Sequence, residues 1–166
     1  MRRGGFETRP YAVLKTAGLA AIAGLRSAAA PALLSRAVRR GDVGGLQGTS
    51  FAVLGSPKVS TTLQLAMIGE MIADKTPFIP SRTSPPALLG RALSGALVGA
   101  ILFAVEGGRV TSGTVLGVPC AVAAAYLGEK LRVNGAEKLG LPDTVLALVE
   151  DGIVLFGGTR LLRKKP

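Results

Sequence analysis

A chain of 166 residues has room for one domain, and 48% hydrophobic against 18% charged residues, with a mean hydropathy of +0.44, is too apolar for an ordinary soluble surface. One cysteine, Cys120, and no histidine exclude an intrachain disulfide, a Cys/His zinc site and a His-based nucleophile, while Ser-Lys and carboxylate chemistry stay open. The net charge of +10 gathers between apolar stretches and is not interleaved with the 5 Phe and 2 Tyr, which points to anionic lipid headgroups and away from nucleic acid.

In chain order, MRRGGFETRPYAVLK followed by an apolar run and SAAAPA resembles a cleavable signal or an organellar presequence. Arg26 interrupts the run, so the segment is expected to be retained as a span. Thr16 to Ser35 is read as one helix centred on Arg26, closed by Arg36, Arg39 and Arg40. Val59 to Ala73 is short for a crossing and is read as a re-entrant or interfacial helix, the alternative being a fifth span. At its end Glu70 and Asp74, four apart on one helix face, precede Lys75; Arg82 and Arg91 follow across the Pro-rich stretch Pro77 to Pro86.

Pro86 to Val105 and the uncharged run Val110 to Gly128 each have the length of a crossing. The last apolar segment, Thr144 to Thr159, carries Glu150 and Asp151 at its middle, where each ionised group costs about 2.5–3.5 kcal/mol unpaired. Arg26, placed halfway along the first segment, is the expected partner of that pair. The sequence therefore suggests two polar groups, an intramembrane cluster of Arg26, Glu150 and Asp151, and a second cluster of Glu70, Asp74, Lys75, Arg82 and Arg91. Neither has the DxxD or DxxxD series of a divalent-metal site, so no metal, cofactor or catalytic residue is assigned.

Small residues recur at four-residue spacing in Ala20, Gly24, Ala28 and Ala32, in Gly95 and Gly99, and in Gly113, Gly117, Ala121 and Ala125; such stripes suit close helix contact. RSAAAPALLSRA from Arg26 and RTSPPALLGRA from Arg82 match with one deletion, and each is followed by a Gly-Glu, at Gly69-Glu70 and Gly128-Glu129. The implied organisation is a single domain, 1–166, with repeat units 11–75 and 76–135 and a C-terminal helix over 142–163.

Gly24-Leu25-Arg26-Ser27, ADKTPFIPSRTSPPALLGRALSGALVGA from Ala73 to Ala100, and Glu150-Asp151 followed by Gly157-Gly158 resemble the bacterial membrane-protein family catalogued as domain of unknown function 4126. Within them the Asp74-Lys75, Pro77, Arg82, Pro86, Arg91, Gly95-Ala96 series is the most specific. The resemblance implies a multi-pass protein and lends no reaction. The expectation is an all-α integral membrane bundle of four to five helices in a bacterial cytoplasmic membrane, with basic termini on the cytoplasmic side. Three functions are weighed: a small transporter-like or ion/lipid-translocating protein, a structural or assembly subunit of a homo-oligomer or larger membrane complex, and a membrane lipid enzyme, in that order.

Overall fold

The computed structural model describes residues 10–75, 81 and 83–163. Among them are six α-helices, α1 (Pro10–Leu25), α2 (Ala29–Arg40), α3 (Pro57–Ala73), α4 (Pro85–Val105), α5 (Val110–Leu139) and α6 (Asp143–Leu162), a 3-10 turn at Ser50–Gly55, and no strand. The all-helical class matches the sequence reading, but the four or five expected helices become six. Proline stands at the start of α1, α3 and α4, where its missing N–H is no loss.

The extra helix comes from a break at Arg26–Ala28, which corrects the single helix expected over Thr16 to Ser35. Pro31 is the physical cause. In a continuous helix its ring would meet the carbonyl of Ser27, four residues back, and it has no N–H to offer that oxygen. The Ser27 carbonyl instead accepts from the Ser94 hydroxyl at 2.6 Å. The backbone N–H groups of Ser27 and Ala28, exposed by the break, donate to the Glu70 carboxylate at 2.8 and 2.7 Å.

The chain reverses at this break. Along α6, Arg26 meets Asp151, Ile22 meets Gly158 and Gly18 meets Leu161, so α1 runs antiparallel to α6. On α2, Leu33 returns to Gly158, and Arg36 and Arg40 share a cleft with Thr159 and Leu162, so α2 runs parallel to α6. Arg26 thus sits at the tip of a helical hairpin. The expected ladder Ala20, Gly24, Ala28, Ala32 is consequently not one face, since its last two members lie beyond the turn.

The core joins Leu19, Ile22 and Ala23 of α1 to Leu33 and Leu34 of α2, Val98, Ile101 and Leu102 of α4, and Val154 of α6. Glycine sets the α4–α5 contact: a Cβ on Gly95 or Gly99 would overlap backbone atoms of Gly117 or Gly113, and the converse holds. On α1, a Cβ on Gly24 would strike the backbone of Ala121. Three helices therefore approach at backbone distance along the Gly/Ala stripes of α4 and α5.

Among the described residues two helices are long and apolar enough to cross a membrane, Pro85–Val105 and Val110–Lys138, and only 22% of the apolar window of the second is buried within the chain. Large apolar side chains stay uncovered on α3 (Leu65, Ile68, Ile72), α5 (Leu127, Leu131) and α6 (Leu148, Ile153, Phe156).

Candidate functional site

The hairpin tip, the end of α3 and the middle of α6 meet at one level, and their charged side chains converge there. Arg26 is fully buried and donates from Nη1 to Asp74 Oδ2. Its Nη2 lies 2.9 Å from Asp151 Oδ1, and its Nε lies 3.9 Å from Glu150 Oε1. One planar guanidinium thus faces carboxylates from two other helical segments, a geometry a point-charge ammonium could not serve equally well.

Further cations bracket this centre. Lys75 Nζ donates to the second oxygen of Asp151 at 2.6 Å and to the Met71 carbonyl at 2.8 Å. On the last turns of α5, Arg132 lies 3.5 Å from Asp74 Oδ2 and makes a two-pronged bond to Asp143. The result is a chain of alternating charge from Arg26, at 0% exposure, through Asp74 and Arg132 to Asp143, whose side chain is 63% exposed. Buried ions of this kind persist only when each has an opposite neighbour.

Glu70 has a different task from its neighbour Asp74. Its oxygens accept from the Ser27 amide and hydroxyl and from the Ala28 amide, so it caps α2 from α3 and fills the positive end of that helix. Arg91 donates to the Gly24 carbonyl at 3.0 Å and to the Ala87 carbonyl at 3.3 Å, holding the last turn of α1 against α4. Glu129 repeats the Glu70 pattern near α4, accepting from the hydroxyls of Ser81 and Thr83. Arg82 lies outside the described residues.

The structure therefore places Asp74 and Lys75 with Arg26, Glu150 and Asp151 in one site, where the sequence suggested two. Sequence reasoning missed Arg132, Asp143, Ser27 and Ser94. For Arg132 a signal existed in the helix-forming run after Gly128, which carries α5 on to Leu139. Among the described residues no three acidic, His or Cys side chains are grouped so as to hold a metal ion.

The family model described as domain of unknown function (DUF4126) matches residues 13–162, a range that takes in every charged residue of this site. The chain belongs to that family. No curated protein and no solved structure matches it.

Proposed function

We propose that the chain is a multi-pass protein of the bacterial cytoplasmic membrane with a transporter-like role, moving a small ion or a charged lipid headgroup past the Arg26 network. The observation that carries this reading is the helix reversal at Arg26–Ala28, with a fully buried guanidinium at its tip. Broken helices with charged side chains at the break are tolerated at membrane depth where they surround a polar path, and ionisable residues there are functional by default. The uncovered apolar faces of α3, α5 and α6 support placement in lipid.

Orientation follows from charge. The start of α1, the end of α2 and the end of α6 share one end of the bundle, and Arg36, Arg39, Arg40, Arg160 and Arg163 gather there, which makes it the cytoplasmic end. A second reading, an assembly subunit, is favoured by the apolar residues Leu65, Ile72, Leu148 and Phe156, which a partner helix would cover as well as lipid does.

The test is flux. Purified protein in liposomes loaded with a pH- or ion-sensitive dye should dissipate an imposed gradient faster than protein-free liposomes, and Arg26→Gln should remove most of the excess. Flux equal to protein-free liposomes, with a second protein retained stoichiometrically in native mass spectrometry, would replace transport by the assembly reading.

A further inference from the structure

At the basic end, the last turns of α2 and α6 enclose a cleft lined by Leu33, Arg36, Ala37, Arg40, Asp42, Thr159 and Leu162. Its enclosed part is ≈ 20 Å³, room for one water-sized group, and the rest opens outward. Arg36 and Arg40 stand one helical turn apart on α2, exposed, and neither makes an ion pair among the described residues. Two guanidiniums one turn apart on the same cleft, with no carboxylate in ion-pair contact among the described residues, can close on one phosphate.

The rest of the cleft narrows the ligand. The Thr159 hydroxyl donates to the Leu155 carbonyl at 2.6 Å, which leaves its lone pairs, with the Asp42 carboxylate, as acceptors facing a ligand. A group that puts an anionic oxygen between the arginines must therefore also present donors. Leu33 and Leu162 supply an apolar floor beneath the charges. Arg39, Arg160 and Arg163 add positive charge nearby and disfavour a ligand whose donor is an ammonium.

We propose that this cleft binds the headgroup of an anionic, hydroxyl-bearing phospholipid of the phosphatidylglycerol type. The phosphodiester lies between Arg36 and Arg40, one oxygen fills the enclosed space, and the headgroup hydroxyls donate to Asp42 and Thr159. The inference rests on the membrane placement proposed above and assigns the lipid to the cytoplasmic leaflet.

The probes are short-chain phosphatidylglycerol, short-chain phosphatidylethanolamine and inorganic phosphate, each added to the purified full chain in neutral detergent, with thermal stability and native mass spectrometry as readouts. Phosphatidylglycerol should be preferred over phosphatidylethanolamine by on the order of 10-fold, given two basic side chains at the headgroup. The double variant R36Q/R40Q should bring the two lipids to near parity, and Lys138→Gln, exposed at the far end of α5, should leave the preference intact. Parity in the wild type, an unchanged preference in R36Q/R40Q, or stabilisation reproduced by inorganic phosphate alone would overturn the proposal. Alkaline extraction of wild-type membranes separates this from failure of the membrane reading: a pelleted protein with no lipid preference refutes the cleft alone.

Discussion

A guanidinium at 0% exposure is compensated by Asp74 and Asp151, and removing it leaves both acids with weaker company. Asp151 keeps Lys75 at 2.6 Å, and Asp74 keeps the longer 3.5 Å approach of Arg132. Arg26→Leu should therefore destabilise the protein by about 3–5 kcal/mol, the usual loss when one member of a buried pair is deleted. Adding Asp74→Asn should recover part of it, with a coupling of about 1–3 kcal/mol in a double-mutant cycle on thermal stability in detergent. Strictly additive losses would remove the clamp. That a buried arginine needs carboxylates is legible in the sequence, because an ion in an apolar run has an obvious cost. That it finds Asp151 is legible too, from the matching mid-segment positions of Arg26 and the acidic pair; that Asp74 joins them is not, because nothing in the string says that the end of α3 reaches the same level. Ser27 and Ser94 gave no signal at all, as a serine in an apolar helix is cheap whether or not its hydroxyl matters.

Among the helices, the α4–α5 contact has no slack. Gly99→Leu puts a side chain where the Gly113 backbone stands, and should cost about 3 kcal/mol or more, toward the upper end of overpacking penalties, since backbone cannot yield as a side chain does. Gly90→Ala, on the same helix but with nothing within 4 Å of the added Cβ, should be neutral or gain up to about 1 kcal/mol from helix propensity. Melting curves of the two variants in one detergent check both, and equal effects would mean that the close approach does not exist. The Gly/Ala stripes of α4 and α5 were readable as spacing; whether they met each other or lipid was not. The run from Pro86 to Val105 was read within a residue of its observed bounds because Pro and apolar length mark it. The first segment differs from its reading because its overall apolarity outweighs a single proline, and Pro31 breaks the helix where Pro119 inside α5 does not.

For the molecule as a whole, the prediction is insertion with a fixed hand. The protein should remain in the pellet after alkaline carbonate extraction. In a Cys120→Ser background, Gln47→Cys, in the loop after α2 at the basic end, should react with an impermeant maleimide only in inverted vesicles, and Leu141→Cys, between α5 and α6, only in right-side-out cells. Release into the aqueous fraction would refute the membrane placement, and the reverse labelling would refute the orientation.

The hairpin tip also bears on how the chain is made. Arg26 precedes α2 to α5 in order of synthesis, while Asp151 arrives only with α6. Throughout synthesis of α2 to α5, the guanidinium has Asp74 at best, and before α3 emerges it has neither acid. An early arginine is thus kept waiting for a late carboxylate, and docking of α6 is what completes its neutralisation. A ribosome that stalls before α6 releases a product whose first hairpin ends in an undercompensated cation. The same contact that steadies the finished protein therefore marks the unfinished one as unstable, which gives proteolytic quality control a physical handle for telling the two apart.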